Sequence, residues 1–279
     1  MHIAGHMFLS MIGLIGLLTG LGCQTAPKAP LATFEHKPLL IHLPGVAGDN
    51  FLARSFVAAV KRGGFDTETR IYNWTRKNTW IGNLQNYDTN RATASELAAE
   101  IMAIRAIEPN RPILLSCESG GAGPAIWTLE ALPPGCQVDG VILLAPAMSP
   151  DYDLSKALSR VRGKLIAFHS KGDGFILGWG TRTWGTIDGK KVTAAGYAGF
   201  VQPEQPADAD QYRKLESIAY DRAWFGKYGN AGDHTGGMGK GFASGYIAPL
   251  LVALAKDAET DRTQRAVHFT GQRIEDVNE

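Results

Sequence analysis

The sequence predicts an α/β protein whose central sheet is mostly parallel and carries helices on both faces. Short segments such as residues 39–43 and 140–145 are apolar at nearly every position, which is typical of buried strands. Longer segments with apolar residues at helical spacing lie between them. Strands that alternate with helices indicate parallel pairing, because each helix provides the crossover that returns the chain to the same edge of the sheet.

The predicted elements follow one another in a regular order. Residues Gly63 and Gly64 end the first helix and Pro109 ends the second. Two segments between the elements, 75–93 and 174–212, are long, irregular and rich in Gly, Trp and Asn, which is typical of lids or binding loops. The predicted strands cover residues 39–43, 67–74, 113–117, 140–145 and 164–168, and the helices cover 51–61 and 94–107 and begin again at Pro124.

The length and charge of the chain restrict its class. A chain of 279 residues suits one α/β domain, which we place at residues 38–255, followed by a polar C-terminal tail at 256–279. The chain has 28 basic and 27 acidic residues, and the basic ones are scattered rather than clustered. This balance argues against a nucleic-acid partner.

The N-terminal segment predicts export. Residues 7–21 are almost wholly apolar, and as a helix they would span about 22 Å, which is short of the roughly 30 Å of a bilayer core. We therefore interpret residues 1–22 as a signal peptide. Gly22 and Cys23 resemble a bacterial lipoprotein cleavage site, which would leave Cys23 lipidated and residues 23–37 as a flexible tether.

Other interpretations of this segment stay open. It has no Lys or Arg before its apolar part, and Gly20 stands where such sites usually have Leu. An uncleaved anchor or a plain signal peptide are the alternatives. The favoured prediction is a membrane-anchored lipoprotein of the cell envelope or periplasm.

A serine lies at a sharp predicted turn between a strand and a helix. The segment from Cys117 to Gly121 reads C-E-S-G-G and matches the G-x-S-x-G nucleophile elbow, except that Cys replaces the first Gly. Glycine-rich turns of this kind also bind phosphates, but the usual phosphate-loop and dinucleotide patterns are absent here. Ser119 is therefore the candidate nucleophile. Cys117 is the alternative, although a strand residue before such a turn usually packs inward.

A serine nucleophile needs a histidine base and a group that orients it. His234 is the candidate base because its Gly-rich loop, NAGDHTGGMG, precedes the final helix and can reach a serine on an earlier strand. Asp173, after the strand KLIAFHS, is the candidate acid and gives the order Ser, acid, His. The other histidines lie in the signal, the tether, two strand ends and the tail: His2, His6, His36, His42, His169 and His268.

Three other aspartates compete with Asp173. Asp151 and Asp153 follow the preceding strand, whereas Asp233 adjoins the histidine and is expected to face away from it. No metal is predicted, because the conceivable ligands lack a metal-ligand spacing motif: His42, Asp49, His169 and Asp173. No cofactor is implied.

The tetrahedral oxyanion of such a reaction needs two backbone N–H donors. Gly120, directly after the serine, is expected to supply one. The loop of residues 44–48 supplies the other, from Gly45 or Val46, which the sequence does not distinguish. We expect His42 and Asp49 to support this loop through hydrogen bonds.

Taken together, these segments resemble the α/β-hydrolase superfamily over residues 37–255. HLPGVAG, SCESGGAG, VILLAPAMSPDYDL, FHSKGDG and GDHTGG occur in the order of that superfamily. The resemblance implies an eight-stranded, mostly parallel sheet and a catalytic triad. Cys117 and Glu118 depart from the usual Gly-His, and a Glu118 that pointed at Ser119 would oppose the oxyanion.

The sequence thus predicts a serine hydrolase that cleaves carboxylic esters, either small molecules or lipids, at a membrane. The alternatives are a catalytically inactive hydrolase-fold lipoprotein that binds a lipid or protein partner, and amide cleavage or acyl transfer by the same triad. Four tryptophans in the long loops are expected to line an acyl pocket or to pack the loops: Trp74, Trp80, Trp179 and Trp184.

Lipidation at Cys23 predicts a specific N-terminus. Expressed in a bacterium with a lipoprotein pathway, the wild type should fractionate with membranes and carry a lipid-modified Cys23 by mass spectrometry. Cys23→Ala should lose the lipid mass, whereas Cys136→Ala should keep it. An unmodified Cys23 in the membrane-bound wild type would contradict lipidation.

Overall fold

The computed structural model describes residues 33–76 and 79–275. The predicted signal peptide, Cys23 and the first part of the tether lie outside these residues. No helix within the described ranges has both the length and the apolar composition needed to cross a membrane.

The described chain forms one sheet of six parallel strands, which confirms the predicted fold class. The strand order is β2-β1-β3-β4-β5-β6, so that β3 and β4 are central. The strands are β1 (Leu39–Leu43), β2 (Glu68–Ile71), β3 (Ile113–Glu118), β4 (Gly140–Leu144), β5 (Leu165–His169) and β6 (Leu215–Ala219). The helices are α1 (Phe51–Arg62), α2 (Trp80–Gln85), α3 (Tyr87–Ile107), α4 (Ala122–Ala131), α5 (Ser155–Leu158), α6 (Thr181–Trp184), α7 (Ala195–Ala198), α8 (Ala223–Tyr228), α9 (Lys240–Phe242) and α10 (Ala248–Glu275).

Both faces of the sheet are buried, which explains why the strands are apolar at nearly every position. Alternate residues point to opposite faces of a strand. Ile41, Leu115 and Leu143 pack in one cluster with α3 and α4, whereas Leu40 and Leu114 pack in a second cluster with α1 and α10. A polar residue in the middle of these strands would face a helix rather than solvent.

Some predicted boundaries differ from those of the structure. The described residues form six strands rather than the eight that the resemblance implied. The edge strand β6 was not predicted, because its residues are half-buried or exposed and include Glu216. Helix α3 begins at Tyr87 rather than residue 94, and α10 continues across residue 255 to Glu275, because polar residues on an exposed helical face resemble a loop or a tail.

Parallel pairing brings the carboxyl ends of the strands to one edge of the sheet. The strands β1, β3 and β5 end at Leu43, Glu118 and His169, and the loops that follow them meet at this edge. Ligands of such sheets bind beyond this edge. The residues predicted to form a site all lie there.

Candidate active site

The turn after β3 has the geometry of a nucleophile elbow. A single 3₁₀ turn, Ser119–Gly121, joins β3 directly to α4. Ser119 has a φ of 52°, in the left-handed region that residues other than glycine rarely adopt. Its carbonyl accepts a hydrogen bond of 3.0 Å from Ala147 N–H, which helps to hold this conformation. The strained backbone raises the Ser119 hydroxyl above the edge of the sheet.

The two glycines after the serine are required by close packing. A Cβ on Gly121 would lie 2.5 Å from the carbonyl oxygens of Leu43 and Pro44, and backbone cannot move aside as a side chain can. A Cβ on Gly120 would lie 2.6 Å from Cγ1 of Val46. The elbow therefore rests directly on the chain that leaves β1.

Ser119, His234 and Asp173 form a continuous hydrogen-bonded chain. His234 Nε2 lies 3.0 Å from Ser119 Oγ, and His234 Nδ1 lies 2.5 Å from Asp173 Oδ2. Ser119 and Asp173 are buried, and the His234 side chain is 14% exposed. These contacts fit the tautomer in which Nδ1–H donates to Asp173 and Nε2 accepts the serine proton.

The environment of His234 favours its protonation. Burial of the imidazole opposes the charged form, but the hydrogen bond to Asp173 and the negative charges of Asp173, Glu118 and Asp233 outweigh burial. The pKa of His234 is therefore raised above its ordinary 6.5. A raised pKa makes the imidazole a better proton acceptor.

The three competing aspartates have other partners. Asp151 pairs with Lys190 at 3.2 Å on the surface. Asp153 accepts hydrogen bonds from Ser155 and from the Tyr212 hydroxyl. Asp233 Oδ1 accepts from the N–H of Thr235, two residues further along its own loop.

Glu118 takes a position that sequence reasoning did not foresee. Its Oε2 accepts a hydrogen bond of 2.9 Å from Gly45 N–H, and its Oε1 lies 3.7 Å from His234 Nε2. Burial raises the pKa of Glu118; the charge of His234 and the Gly45 N–H lower it in part, and the charge of Asp173 raises it further. The net pKa of Glu118 is raised.

Contacts fix most of the backbone of the loop after β1. Trp74 Nε1–H donates to Pro44 O at 2.6 Å, and Asn83 Nδ2 donates to Val46 O at 2.9 Å. Gly48 N–H donates to Gly45 O, while Gly45 N–H is taken by Glu118. In the described part of the chain, Val46 N–H donates no hydrogen bond. The structure thus distinguishes Val46 from Gly45, which the sequence could not.

The expected support of this loop by His42 and Asp49 was wrong. His42 Nδ1 lies 3.0 Å from Ser116 Oγ in the core, and burial lowers the pKa of His42 to about 3. The carboxylate of Asp49 accepts two hydrogen bonds from Arg54. Trp74 and Asn83 support the loop instead.

The remaining candidates lie apart from the triad. Cys117 and Cys136 are free thiols, and burial raises the pKa of Cys117 well above its ordinary value, which disfavours a nucleophilic thiolate. No cluster of His, Cys, Asp and Glu that could hold a metal occurs among the described residues. His36 is exposed, and His2, His6 and the His268 side chain lie outside what the structure describes.

An apolar cleft of about 540 Å³ opens beside Ser119. The Trp80 and Trp184 rings meet edge to face at 5.4 Å, and Trp179 packs on Trp184 from outside. Trp74 is fully buried and holds Pro44 rather than lining the cleft. The larger apolar side chains of the wall are Val46, Leu52, Trp80, Leu84, Ile176, Leu177 and Trp184.

The parallel sheet, with its serine turn after β3, has the α/β-hydrolase fold. Neither a protein-family model nor a curated protein sequence matches the chain. Among solved structures, an esterase of Pyrococcus furiosus is similar to it at 11% identity over 80% of this chain and 84% of the other, with a TM-score of 0.47.

Two further solved structures are similar in the same way. A cutinase-like protein from Cryptococcus sp. is 12% identical over 80% of this chain and 95% of its own, with a TM-score of 0.41. The type II thioesterase BorB from the borrelidin biosynthetic cluster is 13% identical over 81% and 94%, with a TM-score of 0.42. At these identities no residue role is carried over, so each role is assigned from the distances in this chain.

The surroundings of His234 predict its titration. In NMR titrations of the imidazole, the wild type should have a pKa above 6.5, and Glu118→Gln should lower it, because a negative charge near Nε2 is lost. Asp151→Asn, at a surface ion pair, is the matched control and should leave the titration unchanged. A wild-type pKa at or below 6.5, or one that Glu118→Gln does not lower, would contradict this electrostatic picture.

Proposed function

We propose that this protein is a serine hydrolase that cleaves carboxylic esters through an acyl-enzyme. The observation that carries the proposal is the chain from Ser119 Oγ through His234 to Asp173, with contacts of 3.0 and 2.5 Å. A serine on a strained elbow, a histidine within reach of its proton and a buried carboxylate behind that histidine together activate a hydroxyl.

The first half of the reaction acylates the serine. Ser119 Oγ attacks the ester carbonyl while His234 Nε2 takes its proton, and Asp173 stabilises the imidazolium through Nδ1–H. The negative oxygen of the tetrahedral intermediate accepts hydrogen bonds from the N–H groups of Val46 and Gly120. The intermediate then collapses, and His234 gives its proton to the departing alkoxide, which leaves as an alcohol.

The second half releases the acid. A water molecule gives one proton to His234 and attacks the acyl carbonyl, which forms a second tetrahedral intermediate at the same N–H donors. Its collapse breaks the bond to Ser119 Oγ, and His234 returns the proton to that oxygen. The net reaction converts one ester and one water into one acid and one alcohol.

The position of Glu118 favours an active enzyme over an inactive binding protein. A free carboxylate turned toward the oxyanion would destabilise the transition state. Here one carboxyl oxygen is engaged by Gly45 N–H, and the other lies on the side of the imidazole that becomes positively charged. Both contacts are compatible with acyl transfer.

The cleft indicates an ester with an apolar group of several carbons. Its wall beside Ser119 is formed mainly by Trp, Leu and Ile side chains, and burial of apolar surface contributes about 25 cal/mol per Å². Anchoring at Cys23 would place such a site at a membrane, near lipid esters.

Covalent labelling tests the proposed chemistry. After treatment with a fluorophosphonate, the wild type should gain the mass of one adduct, located on Ser119 by peptide mapping. Ser119→Ala should gain none, and Asp173→Ala should react at least about 100-fold more slowly, because loss of a triad member costs several orders of magnitude in rate.

Ser95→Ala is the matched control, because Ser95 is an exposed serine that bonds to its own helix at Arg91 O. It should label at the wild-type rate. A folded wild type that gains no adduct, or an adduct on a residue other than Ser119, would overturn the proposal.

A substrate series tests the cleft. Trp184→Ala should lower the ratio of kcat/KM for p-nitrophenyl octanoate over p-nitrophenyl acetate about tenfold, since only the longer chain loses apolar contact. Phe225→Ala, an aromatic that is 64% exposed on α8, should leave the ratio unchanged. An unchanged ratio in Trp184→Ala would show that the acyl chain binds elsewhere.

A further inference from the structure

Glu118 is a buried carboxyl that neither gives nor takes a proton in the proposed triad chemistry. Its side chain is 11% exposed, in a cleft with a mainly apolar wall, and it lies directly before the serine. Burying an ionisable group beside a developing oxyanion is unfavourable. A compensating role should therefore be visible in its contacts.

The contact with Gly45 is specific and tight. The carboxyl spans from the end of β3 to the loop after β1, a separation of 73 residues along the chain. A Cβ on Gly45 would lie 2.5 Å from Glu118 Oε2 and 3.1 Å from its carboxyl carbon. The carboxyl thus occupies the space that any larger residue at position 45 would need.

This contact determines which N–H of the loop faces the site. Trp74 and Asn83 hold carbonyl oxygens of the loop at Pro44 and Val46. Within the described structure, Glu118 is the side chain that accepts a hydrogen bond from a backbone N–H of segment 44–48. That N–H belongs to Gly45, the residue directly before Val46. With Gly45 N–H and Gly48 N–H engaged, the N–H groups of Val46 and Ala47 are the donors of this segment that have no acceptor among the described residues, and Val46 is the one directly attached to Gly45.

We propose that Glu118 is a positioning residue that clamps Gly45 N–H and thereby orients Val46 N–H toward the oxyanion. The clamp rests on the proposed function, because it serves the same tetrahedral intermediate. The clamp also connects the nucleophile with one oxyanion donor. Glu118 directly precedes Ser119 in the chain, and it accepts a hydrogen bond from Gly45, which directly precedes Val46.

Two titratable groups act on this carboxyl. His234, in the loop before α9, lies 3.7 Å from Glu118 Oε1, and the charge of Asp173, after β5, raises the pKa of Glu118. The thiol of Cys117 directly precedes Glu118 on β3, and burial together with the charge of Glu118 raises the pKa of that thiol. Among the residues that the structure describes, only the Gly45 contact is a hydrogen bond to the Glu118 carboxyl. A glutamine at position 118 could accept the hydrogen bond from Gly45 N–H without carrying a charge. Glu118→Gln therefore distinguishes the effect of the hydrogen bond from the effect of the charge.

Substitutions at Glu118 test the clamp. Removing an oxyanion donor outright lowers kcat about 10²- to 10³-fold. Glu118→Ala should lower kcat for p-nitrophenyl butyrate about 10- to 100-fold with little change in KM. Val46 would stay in the cleft wall, but its N–H would no longer be held toward the oxyanion. Glu118→Gln should recover most of that loss, since its amide oxygen accepts from Gly45 N–H. Equal loss in both variants would overturn the clamp.

Substitution at Gly45 tests the same contact from the other side. Gly45→Ala should displace the carboxyl and lower kcat as Glu118→Ala does, and the double variant should be no worse than either single one. Gly226→Ala is the matched control, because nothing lies within 4 Å of a Cβ there. Additive losses in the double variant would contradict a shared mechanism.

A second readout does not depend on activity. Hydrogen–deuterium exchange of a peptide containing residues 44–48 should be faster in Glu118→Ala than in the wild type and near the wild-type rate in Glu118→Gln. Wild-type exchange in Glu118→Ala would overturn the clamp even if Ser119 labels normally. A wild type that does not label at Ser119 would instead overturn the proposed function, while faster exchange in Glu118→Ala would still show the clamp.

Discussion

The contact between the serine elbow and the end of β1 is the constraint on which the site depends. Gly121 rests on the carbonyls of Leu43 and Pro44, so close that a single methyl group would separate them. This packing fixes the height of Ser119 and places the loop of Val46 beside it. Because β1 and β3 are neighbours in a parallel sheet, the contact follows from the strand order itself.

Charge in the site is arranged on two sides of one imidazole. Asp173 hydrogen-bonds to Nδ1, while Glu118 lies 3.7 Å from Nε2. Both favour imidazolium, which in the proposed reaction forms each time a proton leaves Ser119 or water. A carboxyl group near each ring nitrogen therefore stabilises the protonated imidazole. The hydrogen bond from Gly45 N–H keeps the Glu118 carboxyl from turning toward the oxyanion.

The sequence predicts those features that local pattern determines. Segments that are apolar at nearly every position identified β1, β3, β4 and β5, because both faces of each are buried. The motif around Ser119, together with chain order, selected Asp173 and His234, which the structure brings into contact. The half-exposed β6 carries no such run. The direction of the Glu118 side chain depends on a partner 73 residues away, so no local signal could have given it.

The crystal structure of the fluorophosphonate adduct would test the central claim most directly. We expect phosphorus bonded to Ser119 Oγ, with the phosphoryl oxygen within about 2.7–3.1 Å of the N atoms of Val46 and Gly120. Glu118 should still accept from Gly45 N–H. A phosphoryl oxygen bound to Gly45 N–H, with Glu118 displaced, would contradict the assigned oxyanion donors, and phosphorus on any other residue would contradict the assigned nucleophile.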